Sequence, residues 1–274
     1  RGLINPAAIS STPTGPVVAA MYLPRHTMPE NVNDPAQALR DFTPTHEFFI
    51  GIDSDGCVFD SMEIKHQECF APMFIKHFGL QAVSKYARQV WTFVNLYSTT
   101  RGCNRFHAVI RALELLANRI EVQSRGVEVP SFPALLDWVN RESKLGNATL
   151  DAQVAEGNKG LIPIKNWSDA VNATVKEIAH GVPPFPLVLQ TLIKAKAQAD
   201  CMVISQTPVE ALEREWHENN LKEFVQMIAG QEMGTKTEHL SFATQHKYAP
   251  ENILMIGDAP GDHKAATANK ALFF

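Results

Sequence analysis

The sequence predicts an α/β protein: a doubly wound parallel sheet interrupted by an inserted, mostly helical domain. Three observations carry that prediction. Apolar runs of strand length, Phe48-Phe49-Ile50-Gly51-Ile52 and Ile253-Leu254-Met255-Ile256, each lead into a cluster of glycine and aspartate. From residue 186 onward, helical patterns and apolar runs alternate with short connections, which implies parallel strands and right-handed crossovers. Between the first run and that alternation lie about 130 residues, too many for a loop.

The elements follow in chain order. Residues 1–44 carry seven prolines, at positions 6, 13, 16, 24, 29, 35 and 44, interleaved with Ser, Thr and Ala. With no apolar stretch of signal-peptide or membrane-spanning length, this segment is expected to be an extended arm. The chain opens on Arg1, and Met21 and Met28 offer internal starts. Residues 45–62 hold the first strand and its polar end. Residues 63–184 read as the helical insertion, with apolar positions at helical spacing over 63–78 and 104–122. Ser131 with Pro133, and Ser168 with Asp169, are expected helix starts. Trp91, Phe93 and Trp138 are expected to be core residues of the insertion. Gly181-Val-Pro-Pro-Phe-Pro186 reads as a stiff return linker. Residues 185–274 then give helix 186–199, strand 201–205, helix 208–219, strand 224–229, helix 236–247, strand 252–257, helix 260–268 and a last strand.

Composition excludes some functions. Hydrophobic content of 45% and charged content of 20% are ordinary for a globular protein. A formal charge of −4 argues against a nucleic-acid partner. The cysteines Cys57, Cys69, Cys103 and Cys201 form no Cys-x-x-Cys pair, so reduced thiols in a cytoplasmic protein are expected.

The chemistry sits at the strand ends. Side chains alternate along a strand, so Asp53 and Asp55 face the same way at its carboxyl end, the usual ligand position in open α/β sheets. Two carboxylates that close repel unless a cation or a shared proton relieves them. A polar turn built from Asp and Gly is the plainer alternative. Against it, Gly257-Asp258 with Asp262 supplies a second acidic strand end, and hard cations such as Mg²⁺ favour an all-oxygen ligand set. Ser205-Gln206-Thr207 places hydroxyls after a third apolar run, and Lys236 adds a positive charge at a helix start.

Acid pair, hydroxyl, lysine and acid pair, in that order, resemble the haloacid dehalogenase superfamily of aspartate-nucleophile phosphatases and phosphomutases. Asp53-Ser54-Asp55-Gly56 matches its first motif, Ser205 the second, Lys236 the third, and Gly257-Asp258 with Asp262 the fourth. Asp-x-Asp-Gly-x-x-x-Asp-Ser, ending at Asp60-Ser61, resembles the branch containing β-phosphoglucomutase and phosphoglycolate phosphatase. Thr237 departs from the proline that often follows the lysine.

The resemblance implies a Rossmann-like core with a helical cap, and a native chain that runs beyond Phe274. It implies a Mg²⁺-dependent phosphatase acting on a small phosphorylated metabolite, away from nucleic acid and membrane. Asp53 would be the nucleophile and a metal ligand. Asp55 would be the general acid and base, with its main-chain carbonyl on the metal. Asp258 would complete the ligands and Asp262 would orient Lys236 or a bound water. Ser205 and Lys236 would bind the phosphoryl oxygens.

Asp55 argues against the dehalogenases and phosphonate-cleaving members, which lack this second acid. Lys65 is expected to be a solvated helix lysine rather than a Schiff-base residue. Arg101 and Arg105 resemble a cap substrate loop for a distal phosphate or carboxylate, the alternative being that Asn104 caps a helix and Arg105 lies on the surface. His66 reads equally as a hinge residue near the site or a partly buried structural histidine, and His107 receives no role. A phosphomutase would use the same residues, and a binding protein on the same fold is the third reading. Oligomeric state is left open.

Overall fold

The computed structural model describes residues 34–142 and 144–274. The expected arm lies mostly outside the described residues. Its described end is not extended. Helix α1, Gln37–Asp41, buries Leu39 fully against the sheet's helical layer. The Lys247 ammonium donates to the carbonyls of Leu39 at 3.0 Å and Arg40 at 2.9 Å. One apolar side chain and two satisfied carbonyls are enough to dock this turn despite its prolines.

Five parallel strands form one sheet: β1 Phe48–Ile52, β2 Ala199–Ile204, β3 Met227–Ala229, β4 Ile253–Ile256 and β5 Leu272–Phe273, in the order β3-β2-β1-β4-β5. β1 lies at the centre, its Ile52 in register with Val203 and Ile256. β2 is buried along its whole length, as a strand covered by helices on both faces must be. The covering helices are α9 Val188–Lys196, α10 Val209–Glu218, α11 Lys236–Thr244 and α12 Pro260–Ala268. All strands point their carboxyl ends to one edge, where chain reversal at the sheet's centre opens a crevice.

The insertion has its own core, built around Phe70, Phe74, Trp91, Phe106, Trp138 and Trp167. Its helices are α2 Ala71–His77, α3 Ser84–Thr92, α4 Arg105–Ala117, α5 Ile120–Gln123, α6 Pro133–Arg141, α7 Asn147–Ala155 and α8 Ile162–Ile178. A π-helical turn, Ile64–Phe70, leads into α2, and another, Phe93–Tyr97, follows α3. Trp91 and Trp138 are buried as expected, whereas Phe93 is half exposed, because the π turn rotates it off the apolar face. Helix α8 begins at Ile162 with a proline in its first turn, so Ser168 is not a helix start. Ser168 is buried mid-helix and donates to Asn147 Oδ1 at 2.8 Å. No described helix is long and apolar enough to cross a membrane.

Candidate active site

Asp53 follows β1 directly, its amide donating to Ile256 O at 2.9 Å. Lys236, the first residue of α11, places its ammonium 2.8 Å from Asp53 Oδ1 and 2.6 Å from Asp262 Oδ1. The Thr235 side chain caps that helix by accepting from the Glu238 amide, which fixes where Lys236 emerges. Asp262 is fully buried in the first turn of α12, and its Oδ2 accepts from the Ala259 amide at 3.1 Å. Gly257 leaves no room for a Cβ against the Asp262 carboxyl. Burial pushes the Asp53 carboxyl up to about 7, against the pull of Lys236 and with the push of Asp262.

Carboxylate oxygens of Asp53, Asp258 and Asp262 lie within 4.8 Å of one another. An all-oxygen set of that size suits a hard divalent cation. Both Asp262 oxygens are engaged, by Lys236 and the Ala259 amide, whereas Asp53 and Asp258 are each engaged through one oxygen, Oδ1 and Oδ2 respectively. Asp258 is exposed and paired with the Arg101 guanidinium, whose Nε lies 2.8 Å from Oδ2. Arg101 also donates to Leu96 O at 3.2 Å. The structure therefore places Arg101 on an acid of the site rather than at a distal anion. Gly56 makes that approach possible. Its φ is +83°, and a Cβ there would sit 2.5 Å from Asp258 Oδ2 and 2.9 Å from Arg101 Nη2.

Asp55 is held from three sides. Its Oδ1 accepts from Ser61 Oγ and, at 2.5 Å, from the Lys65 ammonium, while Thr207 Oγ1 donates to Oδ2 at 2.7 Å. Burial pushes this carboxyl up, but Lys65 and the two hydroxyls outweigh it and hold Asp55 down to about 2. Lys65 is not the solvated lysine expected. It is 6% exposed, and its ammonium also lies 2.7 Å from Glu215 Oε1 on α10. Burial alone would lower the Lys65 pKa. The two carboxylates outweigh it and raise it. A lysine among apolar helix positions reads as a solvated one, and its partner lies far along the chain, so only an unexplained buried Glu on the facing helix could have signalled the pair.

Ser205 is buried at the end of β2, and its Oγ accepts from the Thr207 amide at 3.2 Å. One cavity of about 400 Å³ collects Asp53, Asp55, Ser205, Lys236 and Asp258 with Lys65, His66 and Arg105. Arg105 opens α4 and donates to Asn172 Oδ1 at 2.7 Å and Ser168 Oγ at 3.2 Å, so it is not a free surface side chain. Asn104 is the cap of that helix, its Oδ1 accepting from the Phe106 amide. His66 stacks on Phe70, and burial pushes its imidazole down to about 3, so it enters the site as a neutral ring. His107 is exposed.

A family model described as haloacid dehalogenase-like hydrolase matches residues 142–273, spanning the second, third and fourth motifs but not Asp53. Over those residues the chain is similar to haloacid dehalogenase-like hydrolases. In fold, the chain is similar to a Bacteroides fragilis structure described as a haloacid dehalogenase-like hydrolase. The TM-score is 0.52 at 16% identity, covering 82% of this chain and 85% of the other. A Haemophilus somnus structure described as a predicted phosphoglycolate phosphatase gives 0.49 at 14% identity, covering 84% and 85%. No curated protein matches the sequence. The acidic cluster agrees with the divalent metal that the superfamily generally uses.

Proposed function

We propose that this protein is a Mg²⁺-dependent phosphatase that hydrolyses a small phosphorylated metabolite through an aspartyl-phosphate on Asp53. The observation that carries the reading is the pairing of Asp53 with Lys236 at 2.8 Å beside two further aspartates, with Asp55 in the same cavity. A phosphate monoester dianion repels a carboxylate, so the site must first supply positive charge. Asp53, the Asp55 carbonyl and Asp258 would hold Mg²⁺, whose charge offsets that of the phosphoryl group.

Lys236 touches Asp53 Oδ1 and favours the ionised nucleophile. The same ammonium and the Ser205 hydroxyl are the donors available to phosphoryl oxygens as charge spreads over them in transfer. Asp262, bonded to Lys236, fixes where that charge points. Asp55 handles the proton. In the free chain it is ionised, the form that accepts a proton from the attacking water. For the leaving oxygen to depart protonated, Asp55 would take up a proton as the phosphoester binds, give it to that oxygen in the first step and accept one from the water in the second. A cytoplasmic location and the absence of a nucleic-acid partner belong to this proposal.

The test is phosphate release from a panel of phosphorylated metabolites with Mg²⁺ and with chelator, with product analysis for isomerised esters. Release that needs the metal supports the reading. Isomerised ester without release would replace it with a phosphomutase.

A further inference from the structure

Helix α10 lines the cavity with Ala211 and Arg214, whereas the next two residues, Glu215 and Trp216, are buried and do not line it. Neither can touch a substrate. Each instead reaches one carboxylate of the first motif through a single intermediary. Glu215 Oε1 lies 2.7 Å from the Lys65 ammonium, which in turn lies 2.5 Å from Asp55 Oδ1. The Trp216 indole Nε1 donates to Ser54 Oγ at 3.0 Å, and the Ser54 amide donates to Asp53 Oδ1 at 2.8 Å. Successive helix residues point about 100° apart, so one helix supplies both lines.

Trp216 also meets the Phe59 ring edge-on, 5.9 Å between centroids. The Phe59 amide donates to Ser54 O at 3.0 Å, and Phe59 O accepts from the Gly56 amide at 2.8 Å. The turn that carries both carboxylates is thus fixed to α10 at Ser54 and at Phe59. Packing alone does not explain these pairs. Ser54 is fully buried, where a hydroxyl costs free energy unless it is paired. Buried tryptophans of this chain do not find partners automatically, since Nε1 of Trp91, Trp138 and Trp167 is unpartnered. Glu215 Oε2 also lacks a hydrogen-bond partner, so the Lys65 contact is what holds this buried acid. For stability alone, apolar residues of similar volume often serve as well as a buried ion pair.

We propose that Glu215 and Trp216 are positioning residues, acting through Lys65 and Ser54 to hold Asp55 and Asp53 in the mutual geometry that phosphoryl transfer requires. This rests on the phosphatase reading and deepens it. Attack by Asp53 and proton handling by Asp55 need both carboxylates fixed relative to one phosphorus. A misplacement of about 1 Å can cost about a hundredfold in rate. Fastening both carboxylates to one helix keeps their spacing constant. The Glu215 line also crosses from core to cap, because Lys65 lies in the π-helical turn Ile64–Phe70 that opens the insertion.

The experiment measures kcat and KM on the best phosphoester of the panel, with folding checked by melting. The variants are Trp216→Phe, Ser54→Ala, their double, Glu215→Gln and Glu215→Asp. Trp138→Phe is the packing control, a buried cap tryptophan with no hydrogen bond to lose. The expected result is a kcat about tenfold lower or more in Trp216→Phe and in Glu215→Gln, with KM within about threefold. Trp138→Phe should keep kcat within about twofold. Ser54→Ala and Trp216→Phe remove the same hydrogen bond, so the double should lose no more than the worse single. Glu215→Asp, which keeps the charge, should recover part of the Glu215→Gln loss. Either Trp216→Phe or Glu215→Gln within about twofold of the parent kcat overturns the proposal, as do losses that Trp138→Phe matches. A parent that hydrolyses no phosphoester fails the phosphatase reading instead. Mg²⁺ calorimetry then decides this proposal, because freeing Ser54 loosens Asp53. Trp216→Phe must bind Mg²⁺ about threefold more weakly than both the parent and Trp138→Phe, and equal affinity overturns the proposal.

Discussion

Replacing Lys65 with methionine tests the buried charge network most sharply. The ammonium is 6% exposed and sits between Asp55 at 2.5 Å and Glu215 at 2.7 Å. Methionine keeps most of the volume and removes the charge. Two shielded carboxylates then face each other without a cation. Removing one partner from a buried pair typically costs about 3–5 kcal/mol. Asp55 retains donors from Ser61 and Thr207, which softens its share. Glu215 keeps nothing, since its other oxygen already lacks a partner. The expected loss is therefore about 3 kcal/mol, toward the lower end of that range. Glu215→Gln leaves Lys65 paired with Asp55 and should cost only about 1 kcal/mol. Urea denaturation at pH 7, with an unchanged slope, measures both. If Lys65→Met stays within about 0.5 kcal/mol of the parent, as a surface lysine would, the network does not exist as described.

Two further outcomes concern residues away from the phosphoryl site. Asp200, at the opposite end of β2, accepts from Thr45 and His46 amides and side chains and from Gln226 and Tyr248. Burial pushes this carboxyl up, but those donors outweigh it and hold it below the ordinary value of 3.8. Its contribution is therefore present above that value and lost as pH falls below it. Asp200→Asn should cost about 2–3 kcal/mol at pH 7 and flatten the acid end of the stability curve, with turnover unchanged. His239 is fully buried, with both ring nitrogens unpartnered, and burial lowers it from 6.5 to about 4. The unfolded chain binds the extra proton first, so stability should fall by about 3 kcal/mol between pH 6.5 and 4. His239→Met should remove that slope, as thermal melts across the range would show.

The strand ends were legible in the sequence because their signals are local. A short apolar run fixes β1, which ends at Ile52 directly before Asp53, and Gly56 turns the chain just past Asp55 at φ +83°. Helix α12 runs over 260–268 as its pattern predicts. What sequence reasoning missed depends on contacts between distant residues. Lys65 is buried between Asp55 and Glu215, and Glu215 faces it from another element. Ser168 has a strong capping preference, but a proline at the start of α8 sets the helix boundary earlier. Leu39 docks α1 onto a surface that its own segment does not reveal. Arg101 lies in a turn and Arg105, four residues on, opens α4, and one reaches Asp258 while the other reaches Asn172.

The central claim is that Asp53 attacks phosphorus. The direct measurement is single-turnover phosphate release from the best phosphoester with Mg²⁺, parent beside Asp53→Asn, folding checked by melting. Loss of at least a thousandfold in the variant, with phosphoester binding retained, is the result expected of a nucleophile. Release by Asp53→Asn within tenfold of the parent would contradict the account, because a side chain other than Asp53 would then be doing the chemistry.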